Sequence, residues 1–183
     1  MASPISLAGF LNPETVVGEF GITPGLRIAD LGCGSGHIAL LLAQRTGQDG
    51  KVTAVDILED KLDSVRTQAK AAGIANIETI RANLEVLGSS GLVDDSQDMA
   101  VLVNILFQSQ KKEAIIKEAL RVLKSGGSLA VVEWRPGAGG FGPAEQYRLS
   151  EDTLKNMVAA AGAAPARSFS AGQFHYGVIF TKA

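Results

Sequence analysis

Residues Ile28-Ala29-Asp30-Leu31-Gly32-Cys33-Gly34-Ser35-Gly36 read as a short buried strand, a glycine-rich turn and the start of a helix near His37. Three alternating glycines let the backbone turn sharply and approach a ligand without Cβ atoms in the way. The helix that follows directs free N–H groups at whatever sits in the turn. Asp56 lies 20 residues beyond Gly36, at the end of the next apolar run. A carboxylate at that position suits the two hydroxyls of a ribose.

The spacing says more than the glycines do. A dinucleotide turn follows G-x-G-x-x-G/A; counted from Gly32, its third small residue would fall on His37. The pattern here is D-x-G-x-G-x-G, with Asp30 two residues before the first glycine. An acid there disfavours a pyrophosphate and suits a ligand with a positive end, such as an ammonium or a sulfonium. Asp30-Leu31-Gly32-Cys33-Gly34-Ser35-Gly36 resembles the first motif of class I S-adenosylmethionine-dependent methyltransferases. Leu120-Arg121-Val122-Leu123-Lys124-Ser125-Gly126-Gly127-Ser128-Leu129 is similar to a helix–turn–strand signature of the same superfamily. Within it, the chain looks most like the small bacterial group related to ubiquinone/menaquinone-biosynthesis C-methyltransferases.

Bulk properties agree with an enzyme of this size. A chain of 183 residues fits one domain with a substantial core. Apolar residues make up 46% and the net charge is −2, so the chain is globular and carries no broad basic surface for nucleic acid. Lys111-Lys112 is the one basic pair that stands out. The single Cys33 excludes an intramolecular disulfide framework and fits a reducing, cytoplasmic compartment. No apolar run is long enough to span a membrane, and Met1-Ala2-Ser3-Pro4 lacks the basic region of a signal peptide. The two histidines are far apart and lack cysteine partners, so no metal site is expected.

In chain order, residues 1–11 read as a loose arm. Asn12-Pro13-Glu14 starts a helix, with a cap, a proline at the first helical position and an acid in the first turn. That helix carries Val16, Val17 and Phe20; residues 1–21 form an N-terminal arm and lid helix, with 5–20 as lid candidates, or simply pack on the sheet. Strands are expected at 27–31, 51–56, 77–81, 99–104 and 128–134. Helices are expected over 37–45, 59–72 (Ala72 facing inward) and 111–123. The 99–104 run is continuously apolar and suits a strand covered on both faces. Residues 136–143, rich in glycine, read as a gate over the pocket or a plain linker. Ser150 caps a last helix, and residues 166–170 and 174–181 form a final hairpin. Alternating strands and helices predict an α/β fold, a Rossmann-like doubly wound, mostly parallel sheet covered on both faces. The resemblance implies seven strands, the last entering antiparallel between the fifth and sixth.

Ligands in such sheets sit at the carboxyl ends of the strands. Those ends are Asp30, Asp56, Asn83, Asn104 and Glu133, five polar residues closing apolar runs. The resemblance implies that Asp30 serves the methionine ammonium of the cofactor and that Gly32, Gly34 and Gly36 allow close backbone approach. Asp56 would take the ribose, Ile57 would pack against adenine, and Asn83 would meet the adenine edge. Cys33, Leu84 and Asn104 complete the implied cofactor set. Relatives often have aspartate where Asn83 stands, and histidines where this chain has Leu106-Phe107-Gln108. Acceptor-side candidates are Asn104, Glu133, Arg135, Tyr147 and His175, each with a structural alternative: rim pairing for Glu133 and Arg135, packing for Tyr147 and His175. The expected acceptor is a small molecule, or a protein partner that completes the site. Two other readings stay open, a non-catalytic S-adenosylmethionine-binding subunit and a nicotinamide-dependent reductase.

Overall fold

The computed structural model describes residues 11–183, so all but Leu11 of the expected arm at 1–11, and residues 5–10 of the lid candidates, lie outside the described residues. Seven strands form one sheet in the order β3-β2-β1-β4-β5-β7-β6. They are β1 (Arg27–Leu31), β2 (Lys51–Asp56), β3 (Ile77–Arg81), β4 (Gln97–Val103), β5 (Leu123–Trp134), β6 (Ala163–Ser170) and β7 (His175–Lys182). β1 to β5 run parallel, and β7 enters antiparallel between β5 and β6. The helices are α1 (Pro13–Gly18), α2 (His37–Thr46), α3 (Glu59–Ala71), α4 (Lys112–Val122) and α5 (Glu151–Ala160).

Side chains of the central strands alternate between two apolar layers. Leu31, Leu102, Leu129 and Val131 pack with Ile116 and Leu120 of α4 and Leu154 and Val158 of α5. Ile28, Val52, Val101 and Val132 pack on the other face with Val16 and Val17 of α1, Leu42 of α2 and Leu62 and Val65 of α3. Burying each such side chain stabilises the fold by about 1.5–3 kcal/mol. This two-sided burial is why β4 reads as an unbroken apolar run.

Local signals set the element ends. Asn12 caps α1, its Oδ1 accepting from the Thr15 amide at 3.1 Å. Ser150 caps α5, its Oγ accepting from the Thr153 amide at 3.2 Å. Several boundaries differ from expectation, among them β4 at 97–103 rather than 99–104 and β6 starting at 163 rather than 166. α1 is short, and Glu19 pairs with Arg167 of β6 at 2.9 Å, tying it to the sheet. Ala72 is exposed rather than inward, because α3 ends at Ala71. β5 begins at Leu123, five residues early: Leu123 pairs with Gln97, and the chain bulges out before Ser128 rejoins opposite Met99. Gly126 has φ +75° within that bulge, a left-handed conformation that glycine adopts without penalty.

The 136–143 segment is also different from a free gate. The Arg148 side chain, only 3% exposed, donates to the carbonyls of Arg135, Gly139, Phe141 and Pro143. Its guanidinium lies 5.9 Å from the Trp134 ring centre. One buried cation thus gathers the glycine-rich loop around Trp134. Glu118 plays the same part elsewhere: it is fully buried on α4 and accepts from Arg121, Ser90 and the Gly88 amide, fixing the 88–90 loop. Burial pushes its carboxyl up, but Arg121, Ser90 and Gly88 outweigh burial and hold it at about 2. Among the described residues no helix is long and apolar enough to cross a membrane.

Candidate functional site

A cleft of about 580 Å³ opens at the carboxyl ends of β1, β2 and β4 and beside the segment after β3. Four of the five polar strand-end residues line it: Asp30, Asp56, Asn83 and Asn104. Gly32, Cys33, Gly34, Ile57 and Leu84 are in its wall as well. The β1–α2 turn supplies the floor. Its Gly32 and Cys33 amides both donate to the Val55 carbonyl, at 2.7 and 3.0 Å, which locks the turn to β2.

The three glycines do different jobs. Gly32 has φ +83°, and a Cβ there would overlap the Ile105 side chain after β4. Gly36 has φ +91° and is the cap position of α2; a Cβ would come within 2.7 Å of Val65. Gly34, at φ +50°, meets nothing within 4 Å. Gly32 and Gly36 therefore permit close packing inside the protein, while Gly32 and Gly34 both bring backbone to the cleft wall and Gly36 does not.

Two acids define the electrostatics. Asp56 uses its carboxylate to organise the rim: Oδ2 accepts from the Gly34 amide at 2.9 Å and Oδ1 from the Leu58 amide at 3.0 Å. Each oxygen retains a further lone pair. Asp30 is 2% exposed, and its Oδ2 has no hydrogen-bond partner among the described residues. Burial, and then the charge of Asp56, push its carboxyl up to about 7, against hydrogen bonding from the Ala39 amide. An orphaned buried carboxylate oxygen on a cleft wall calls for a donor or a cation from the ligand. Asn104 adds a second such acceptor: its Oδ1 is buried without a partner, and its backbone is left-handed at φ +57°.

Ile57 and Leu58 are about half exposed at the cleft edge, an apolar shelf against which a flat ring could lie. Asn83 is exposed in the same cleft; its Oδ1 accepts from the Glu85 amide at 3.0 Å and keeps a second lone pair, and its side-chain NH2 offers two donors. Cys33 is a poor nucleophile, since burial and then the charges of Asp30 and Asp56 push its thiol up. Among the described residues no group of His, Cys, Asp and Glu side chains is placed to hold a metal.

Glu133, Arg135, Tyr147 and His175 are not in the cleft wall. Glu133 is fully buried, and its Oε1 accepts from the Leu106 amide at 2.6 Å. Burial pushes it up to about 7, against hydrogen bonding from the Leu106, Trp134, Ile105 and Phe107 amides. Arg135 does not form the anticipated rim pair with Glu133; it donates to the His175 carbonyl. Tyr147 sits 44% exposed on a short turn, Glu145–Tyr147. His175 is buried with its ring 4.1 Å from that of Trp134, and burial, then Arg148, push it down to about 4. Because β7 runs antiparallel, His175 at its start lies beside Trp134 at the carboxyl end of β5, but β7 is two strands beyond β4 and His175 stays outside the cleft wall.

Several lining residues escaped sequence reasoning. Glu85 and Ser109 are joined across the cleft mouth, Ser109 Oγ donating to Glu85 Oε1 at 2.7 Å. Gln108 donates to the Asn104 carbonyl at 2.7 Å. Leu11 and Pro13, which fall in the 5–20 segment read as a lid, line the cleft too, as do His37 and Ile38 at the start of α2. The signal for Glu85 was present, since it follows Asn83 and Leu84 directly; the signal for Ser109 was not, because its loop has no periodicity.

Comparison with known proteins adds independent evidence. A family model described as a methyltransferase domain matches residues 22–177. The chain is 35% identical to an arsenite methyltransferase of Aquipseudomonas alcaligenes over 109 residues, covering 57% of this chain and 32% of that protein. It is 33% identical to the ubiquinone/menaquinone biosynthesis C-methyltransferase UbiE of Shewanella pealeana over 115 residues, covering 62% of this chain and 45% of that protein. The matched region thus spans less than half the length of these two curated relatives. The crystal structure of a SAM-dependent methyltransferase from Aquifex aeolicus shares the fold, with a TM-score of 0.86 at 24% identity, covering 99% of this chain and 94% of that one.

Proposed function

The chain belongs to the methyltransferase-domain family of class I S-adenosylmethionine-dependent enzymes, and from that premise we propose that it moves a methyl group from S-adenosylmethionine to a small-molecule acceptor by in-line displacement. The observation that carries the reading is Asp30: a buried carboxylate with one oxygen unpartnered, in the wall of a cleft whose turn is closed by a second acid, Asp56. That donor set fits a ligand with a cationic end and a ribose; it does not fit a pyrophosphate.

The bound cofactor supplies an activated methyl group on a positive sulfur. The chain's own residues supply position and shelter. Asp30 holds the cationic amino-acid end, and Asn104 Oδ1 offers a second acceptor beside it. Asp56 takes the ribose hydroxyls while still gripping the Gly34 and Leu58 amides, so ribose binding and turn geometry are one arrangement. Ile57 and Leu84 flank adenine, and the free NH2 of Asn83 meets a ring nitrogen. Fixing two reactants in line is worth about 7–11 kcal/mol of the barrier in favourable cases.

Pro13 of α1 and Leu11 just before it line the cleft, and we assign α1 the role of lid helix. The arsenite relative's substrate does not carry over readily. A soft inorganic centre is held by several thiolates, whereas this chain has one cysteine. Isothermal calorimetry with S-adenosylhomocysteine tests the reading: micromolar binding is expected, lost in Asp30→Ala. Thermal stabilisation by NADH but not by S-adenosylhomocysteine would overturn it.

A further inference from the structure

Glu133 is an acid with no exposed surface, next to the last residue of β5, and it is not itself in the cleft wall. Burying an acid costs free energy unless the site returns hydrogen bonds. Here a bond of that kind is returned to one oxygen, while Oε2 has no partner among the described residues. Oε1 accepts from the Leu106 amide at 2.6 Å, and the turn Leu106–Gln108 is the short one that follows β4. Amides at the start of any helical turn lack internal partners, and here a side chain from the neighbouring strand provides one.

The same segment builds the cleft. Asn104 lies in the left-handed region, a conformation that costs a non-glycine residue about 1–3 kcal/mol and persists only where its surroundings impose it. It is imposed from three sides: the Asn104 amide donates to the Val132 carbonyl at 2.9 Å, Gln108 binds the Asn104 carbonyl, and Glu133 holds the next turn. Ile105, between these anchors, sits against the Cα of Gly32, where a Cβ would collide with it. Ile105 and Asn104 both face the cleft.

We propose that Glu133 is a positioning residue for the cofactor cleft: from behind the floor it fixes the 104–108 turn, and through Ile105 and Asn104 it sets the shape against which the cofactor binds. This rests on the reading that the cleft holds S-adenosylmethionine. The expected signature is local. In Glu133→Ala, S-adenosylhomocysteine affinity measured by calorimetry falls by about tenfold or more, the loss expected when a buried hydrogen-bond acceptor disappears. Hydrogen exchange of the 105–107 amides accelerates while exchange of β2 and β3 amides stays at the wild-type rate. Glu133→Gln, which keeps an acceptor oxygen, restores both readouts to within about threefold, because a neutral acceptor retains most of the bond. Unchanged affinity in Glu133→Ala, or acceleration spread evenly over the sheet, overturns the proposal. If the alanine variant does not fold, Glu133→Met fills the same space without an acceptor, and tight binding by it has the same overturning force. Failure of the wild-type protein to bind S-adenosylhomocysteine would instead refute the proposed function, leaving the exchange pattern to judge Glu133 by itself.

Discussion

Lowering the pH should weaken cofactor binding through one residue. Asp30 in the ligand-free protein has a carboxyl pushed up to about 7 by burial and by Asp56. A ligand that brings a cation to Oδ2 binds the ionised form. The apparent affinity is then scaled by the ionised fraction, about 0.9 at pH 8 and about 0.1 at pH 6 for a pKa near 7. The dissociation constant for S-adenosylhomocysteine should therefore rise by roughly tenfold from pH 8 to pH 6. Binding at pH 6 should release close to one proton, read as a dependence of the calorimetric heat on the buffer's ionisation enthalpy. Asp30→Asn removes the charge at constant shape. It should bind about 10- to 100-fold more weakly at pH 8, the worth of a charged hydrogen bond, and its affinity should be flat across the same range.

The sign for stability is opposite. The folded-state carboxyl lies above its unfolded value of 3.8, so the fold favours the protonated form. Stability of the ligand-free protein falls as pH rises from about 4 to about 7, by up to about 1.4 kcal/mol per pH unit from this group alone. Asp30→Asn should consequently melt higher than the wild type at pH 8 without ligand, by roughly 5 °C if about 2 kcal/mol is recovered. A wild-type affinity that does not change between pH 6 and pH 8, or an asparagine variant with the same profile, would refute the assignment of Asp30 to a cationic ligand group.

Gly32→Ala and Gly34→Ala should separate packing from ligand access. Both incur a left-handed backbone cost of about 1–2 kcal/mol, but only the Gly32 variant also drives a Cβ into Ile105, so thermal melts should place it clearly below Gly34→Ala. Glu118→Ala strands Arg121 beside a buried vacancy and should cost about 3–5 kcal/mol, measured by urea denaturation, as expected for breaking a buried pair. The Glu118 contribution in the wild type is present above pH 4.5 and disappears as pH falls toward about 2, since the fold depresses this carboxyl. Cys33→Ala should retain S-adenosylhomocysteine affinity within about threefold, because a buried thiol acts as a small apolar group; a complete loss of turnover in that variant would show that the thiol takes part in the chemistry.

The sheet and the site were legible in the sequence to different depths, and one physical reason covers both. Strand ends at Asp30, Asp56 and Asn104 are written twice, as the close of an apolar run and as a polar residue that such a run does not tolerate in its middle. All three reach the cleft. Glu133 carries the same double signature and ends the same kind of strand, yet its side chain turns under the 104–108 segment, because β5 lies one strand beyond the crevice in an order that the local pattern does not state. His175 was misleading for a related reason: the antiparallel β7 brings it to the carboxyl end of the sheet beside Trp134, but two strands beyond β4. Arg148 and Glu118 were invisible, since each looks like an ordinary surface charge until tertiary structure buries it and surrounds it with carbonyls or amides. Periodicity encodes what a residue's own element needs. It does not encode which foreign backbone will lie against that residue, and in this chain the foreign backbone is what separates an acid that meets the ligand, Asp30, from an acid that shapes the wall behind it, Glu133.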